Sequence, residues 1–175
     1  VEYRRIIPGK CVSHEVDVYA ERNGEYLAAE LKYHNDPSYK TDVKVALYVK
    51  ARFDDIWQCD PKVDKTCKVD HGFLITNTKF TRDAVQFANC SCFYLLGWSY
   101  PQEGNLYDRI VATGLYPITA LTTLKKAEKR LLIDQGITTC EQIRLNRDLL
   151  RAISIPPERL GGILAEANTL CNAYA

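Results

Sequence analysis

Asn23-Gly24 stands between two runs of alternating apolar and polar residues, 16–21 and 25–33, and restricts the fold more tightly than anything else in the chain. An Asn-Gly pair in that setting is the strongest short-range hairpin signal, because a two-residue type I′ turn needs positive φ at both central positions. Pairing residues at equal distances from the turn sets Arg22 opposite Glu25, Asp17 opposite Glu30 and Glu15 opposite Lys32. Side chains alternate along strands, so Glu15, Asp17, Tyr19, Ala28, Glu30 and Lys32 are expected on one face. Val16, Val18, Ala20, Leu27, Ala29 and Leu31 share the other, which is expected to meet the core.

Directly opposed strand residues lie about 4.5–5.5 Å apart at Cβ, where like charges repel. Asp17 against Glu30 therefore needs relief. Either one carboxyl stays protonated or a cation sits between them, and hard oxygen ligands suit Mg²⁺ or Mn²⁺. Lys32 reaches the same space, where an ammonium can position water or stabilise charge on phosphorus. A plain surface hairpin with a Glu15–Lys32 salt bridge explains the same pattern.

The remaining pattern is that of an α/β protein. "VEYRRII" reads as a strand, residues 40–56 as an amphipathic helix, "GFLITNT" as a buried strand, "RDAVQFANC" after Thr81 as a helix, and "FYLLGW" as another strand. Strand, helix, strand with apolar runs implies a parallel crossover in a mixed sheet. "NLYDRIVATG" adds a short helix. Beyond Pro117 the chain turns helical, with helices expected over 121–135, 140–153 and from Pro156-Pro157 to Cys171, so domains of 1–117 and 118–175 are expected.

Asp17, the hairpin, and Glu30-Leu31-Lys32 resemble the PD-(D/E)xK nuclease signature. With "ELKYHN", "VKVALYVKARFDDI" and "GFLITNTKFTRDAVQFA" followed by "LLGW", residues 5–117 resemble the Mrr-like restriction endonucleases. That resemblance implies a restriction endonuclease-like mixed sheet flanked by helices and a Mg²⁺-dependent (or Mn²⁺-dependent) DNA endonuclease of restriction or repair type. Asp17 and Glu30 would be metal ligands and Lys32 the catalytic lysine. Relatives usually open with a helix bearing a further glutamate near the metal; Glu2 or Glu15 is the expected substitute here. A structure-selective junction-resolving nuclease and a non-catalytic DNA-binding protein that keeps the fold are the alternatives. Symmetric cutting would call for a homodimer.

His14 and His34 flank the hairpin ends as candidate phosphate or metal contacts. Glu15 and Lys79, the latter in the polar stretch 76–79 after a buried strand, are further DNA-facing candidates. "LLIDQGITTCEQI" resembles a helix-hairpin-helix element of a small all-α, SAM-like domain, whose Gly136 turn and following amides would hold DNA phosphate beside Lys125 and Lys126. The net charge of +1 says little by itself, since a nucleic-acid partner needs local positive patches more than a large total. The seven cysteines show no paired C-x-x-C spacing and are expected to be buried, reduced thiols. No apolar run suits a membrane span and no signal-peptide pattern opens the chain, so a cytoplasmic protein is expected.

Overall fold

Asn23 and Gly24 both take positive φ, 55° and 82°, and close a hairpin between β2 (Ser13–Arg22) and β3 (Glu25–Lys32) with Arg22 opposite Glu25. In this computed structural model, which describes residues 1–172, the hairpin is the centre of a five-stranded mixed sheet. Its order is β1 (Glu2–Pro8), β2, β3, β5 (His71–Thr76) and β7 (Tyr94–Leu96). β2 is antiparallel to both of its neighbours, while β3, β5 and β7 run parallel. Short β4 (Lys40–Thr41) and β6 (Lys79–Phe80) form a separate parallel pair.

The β3-to-β5 crossover runs through α1 (Val43–Trp57), opened by the Asp42 carboxylate accepting from the Val45 amide. α2 (Arg82–Cys90) begins in the same way at Thr81 and leads to β7. Such caps satisfy amides that the first helical turn leaves without partners. Ala46, Val49, Phe53 and Ile56 of α1, with Ala84 and Ala88 of α2, cover the sheet face bearing Ala28 and Leu74.

That covered face bears Tyr19, Ala28 and Glu30, which were expected on the other side, although Val16 and Ala29 of the expected core face are fully buried too. Tyr19 and Ala28 are in the core and Glu30 is 6 % exposed, whereas Leu31 is 44 % exposed. The strands also change face midway. Cross-strand pairing skips Arg4 and Asp17, Arg4 takes φ 52°, and Val16 and Tyr19, three residues apart, both join the core. Arg5 follows the same switch, bonding Glu2 at 2.8 Å and lying 4.0 Å from the Tyr19 ring centroid. Strict alternation fails because Asp17 turns its carboxylate to the Leu31 amide, 2.7 Å away.

Gly72 is where α1 comes closest to the sheet: a Cβ there would lie 2.9 Å from the ring of fully buried Phe53. Gly72→Ala is expected to cost about 1–3 kcal/mol, as overpacking a rigid ring does. Urea unfolding checks this, and an alanine variant as stable as the parent would mean that Phe53 is not seated on β5.

The chain divides into two compact units, Val1–Tyr107 and Asp108–Ala175, the division falling within α3 (Leu106–Thr113). The second unit holds α4 (Lys126–Asp134), α5 (Cys140–Leu145), α6 (Asp148–Ala152) and α7 (Pro157–Asn172) around Leu121, Leu132, Ile143, Leu150 and Ile163. Two expected helices are shorter or broken. The first starts only at Lys126, because Thr122 and Thr123 give their amides and hydroxyls to Glu166 instead of to a helix. The second splits at Asn146, whose side chain accepts from the Asp148 amide in a local turn.

The cysteines also depart from expectation. Cys59 and Cys67 form a disulfide across the loop after α1, and Cys11, Cys90 and Cys92 are exposed. Among the described residues only Cys140 is a fully buried free thiol, and desolvation pushes it up to about 12. Among the described residues, no helix is long and apolar enough to cross a membrane.

Candidate functional site

β3 carries Glu30 and Lys32 on the covered face, since residues two apart on a strand project together. Lys32 Nζ bonds Glu30 Oε1 at 2.7 Å, and Arg52 Nη1, reaching down from α1, bonds Glu30 Oε2 at 2.5 Å. Arg52 Nη1 also donates to the Glu15 carbonyl at 2.9 Å, and Nη2 donates to the Tyr48 hydroxyl. Tyr48 and Arg52 are four apart on α1 and so share a helix face, with the guanidinium carbon 4.9 Å from the ring centroid.

The opposition of Asp17 and Glu30 forms only in part. Backbone pairing of β2 with β3 ends at Val18 and Ala29, and one step beyond it the Asp17 carboxylate accepts the Leu31 amide that a ladder carbonyl would otherwise take. Asp17 thus sits against the central residue of Glu30-Leu31-Lys32. The expected Glu15–Lys32 pairing does not form: Glu15 pairs with Arg4 at 3.0 Å. Relief of Glu30 comes from two protein cations, of which sequence reasoning foresaw only Lys32.

His14 does not stand free at the hairpin end. Its Nε2 lies 2.8 Å from Asp55 of α1, which also accepts the Cys11 and Val12 amides. The bond to His14, aided by those amides, holds the Asp55 carboxyl well below the usual carboxylate range. His14, Asp55, Tyr48, Arg52 and Cys11 line a cleft of about 300 Å³.

His34 is engaged at the other end of the site. Its ring stacks on Tyr39 at 3.9 Å and reaches Thr41 Oγ1 at 3.2 Å, while its backbone exchanges two hydrogen bonds with the Asn77 side chain. Thr41, Thr76 and Thr78 continue a buried hydroxyl chain, with Thr76 beside Lys32 in register. Lys79 is exposed on β6, opposite Lys40.

In the helical unit, Gly136 takes φ 78° and ends α4, as a left-handed helix terminus favours glycine. The amides expected to face phosphate are already engaged. Those of Thr138 and Thr139 bond Gln142 Oε1 at 2.8 and 3.0 Å, and that of Cys140 bonds the Tyr116 carbonyl. Lys125 and Lys126 are exposed at the start of α4. Burial raises the Glu166 carboxyl, but the Thr122 and Thr123 donors outweigh it and bring it from 4.5 to about 2. A carboxyl depressed on folding stabilises above its unfolded pKa and loses that contribution as pH falls toward the folded value. Glu166→Gln is therefore expected to lose about 1.5–3 kcal/mol at neutral pH, typical of bonds to a charged group. In denaturant titrations its deficit against the parent shrinks between 4.5 and about 2; a deficit independent of pH would contradict this.

Among the described residues, no group of three or more His, Cys, Asp or Glu side chains is gathered to hold a metal. Asp17 and Glu30 nevertheless fit Mg²⁺ or Mn²⁺ in donor type. They fit in number where substrate phosphate and water complete the shell, the usual way Mg²⁺ is held by one or two carboxylates.

Residues 116–171 match a family described as AF1548-like, C-terminal. An uncharacterized protein of Archaeoglobus fulgidus is 36 % identical over 167 residues, covering 93 % of this chain and 88 % of its own length. A crystal structure of a protein of unknown function, AF1548, superposes with a TM-score of 0.74 at 33 % identity, covering 98 % of this chain and 89 % of that one.

Proposed function

We propose that this chain, which belongs to the AF1548-like family, is a metal-dependent endonuclease that hydrolyses phosphodiester bonds in DNA. One observation carries the reading. Glu30 and Lys32 flank the residue whose amide the Asp17 carboxylate accepts, so two acids and an ammonium gather at one strand end. The sheet order, with β2 alone running against the other four strands, supports a restriction endonuclease-like fold.

Asp17 and Glu30 would hold Mg²⁺ or Mn²⁺, which when bound supplies Lewis acidity toward phosphorus and acidifies water. Lys32, 2.7 Å from Glu30, would stabilise the negative charge that builds on the phosphoryl oxygens. Thr76, beside Lys32 in register, anchors the strand end through its hydroxyl chain.

A second reading, a DNA-binding protein that keeps the fold without chemistry, is favoured by the occupation of both Glu30 oxygens by protein cations. Incubating the protein with supercoiled and branched DNA and Mg²⁺ or Mn²⁺ separates the two. Cutting by the parent, lost in Asp17→Asn, supports the endonuclease. Binding with no cutting by the parent supports the second reading, and equal cutting by both proteins removes Asp17 from the chemistry.

A further inference from the structure

Formal charge at the hairpin sums to zero, because Lys32 and Arg52, both bonded to Glu30, offset the charges of Glu30 and of Asp17 at the neighbouring Leu31 amide. A divalent cation entering this group would leave two uncompensated positive charges in a site where Glu30 is 6 % exposed and charges are poorly screened. It would also meet Glu30 Oε2 already bonded to Arg52. That bond is well built: the guanidinium is fixed at three points, on Glu30, the Glu15 carbonyl and the Tyr48 hydroxyl. Its planar fork suits oxygen acceptors of either a carboxylate or a phosphate. The same side chain lines the cleft of about 300 Å³ shared with His14, Tyr48 and Asp55, so it can turn toward a ligand there while staying on its own helix.

We infer that Arg52 masks Glu30 from the divalent cation until a DNA phosphate enters the adjacent cleft and draws the guanidinium away. This rests on the metal-dependent reading of the hairpin and adds an order to it. Phosphate and metal bind with positive coupling, because each removes the charge or the contact that opposes the other. Arg52 is thus a positioning and gating residue. Coupling between two ligands is reciprocal, so DNA tightens metal as much as metal tightens DNA.

Mn²⁺ binding, followed by loss of the free-ion EPR signal, tests this on the full chain with Mn²⁺ alone and with Mn²⁺ plus a short phosphorothioate duplex. Asp17→Asn, measured in parallel, subtracts Mn²⁺ held by the duplex itself. The parent is expected to bind Mn²⁺ weakly alone and about tenfold more tightly with duplex, within the usual range of coupling. Arg52→Gln is expected to bind tightly without duplex and to gain little from it. Arg52→Lys keeps most of the stem and guards against a folding defect; it should tighten Mn²⁺ by a smaller factor. If both Arg52 variants bind Mn²⁺ no better than the parent, while Asp17→Asn abolishes binding in all, the mask is overturned and the metal site stands. If neither the parent nor Arg52→Gln exceeds Asp17→Asn under either condition, the metal site and the mask fall together.

Discussion

Lys32→Ala is expected to slow DNA cutting by about 10²–10⁴-fold, the range for losing a positioned proton-transfer or charge-stabilising group, with DNA affinity changed only a few-fold. The ammonium touches Glu30 but is about one-third exposed, so it can face a substrate as well as its carboxylate partner. Single-turnover nicking at saturating protein isolates the chemical step, and electrophoretic mobility measures binding. Equal losses in rate and affinity would make Lys32 a phosphate contact and no more. An unchanged rate would exclude it from the chemistry.

Glu30→Ala should have the largest effect on stability. Removing one partner of a buried charge pair typically costs about 3–5 kcal/mol, since the charges left behind stay desolvated. Here two cations, Lys32 and Arg52, would be left facing each other. Glu30→Gln retains an acceptor for one of them and should cost less, and on the proposed metal-dependent reading it should also weaken Mn²⁺ binding. Urea unfolding of the two variants checks the difference. A Glu30→Ala protein within about 0.5 kcal/mol of the parent, as for an ordinary surface substitution, would contradict the burial of this carboxylate.

How much of this could be read beforehand depended on the range of each interaction. The hairpin was legible because Asn23-Gly24 carries its own conformational demand, and α1 and α2 because Asp42 and Thr81 cap them locally. The buried face was legible only in part, at Val16 and Ala29. Counting outward from the turn assumes unbroken alternation, and Asp17 breaks it with a bond to Leu31 fourteen residues away. Arg52 carried no local sign of its role, since its position over Glu30 depends on how α1 crosses the sheet. Likewise nothing near Thr122 and Thr123 announces Glu166, which holds them out of α4 from a distant helix. The Cys59–Cys67 pairing had no local sign either, as cysteine count and spacing leave connectivity open.

Anomalous scattering from crystals grown with Mn²⁺ and a short phosphorothioate duplex tests the hairpin site most directly. The expected map has a Mn²⁺ peak shared by the Asp17 and Glu30 carboxylates, with Arg52 turned from Glu30 to a backbone phosphate. Bound duplex with no peak at the hairpin, and Glu30 still held by Arg52 and Lys32, would contradict it.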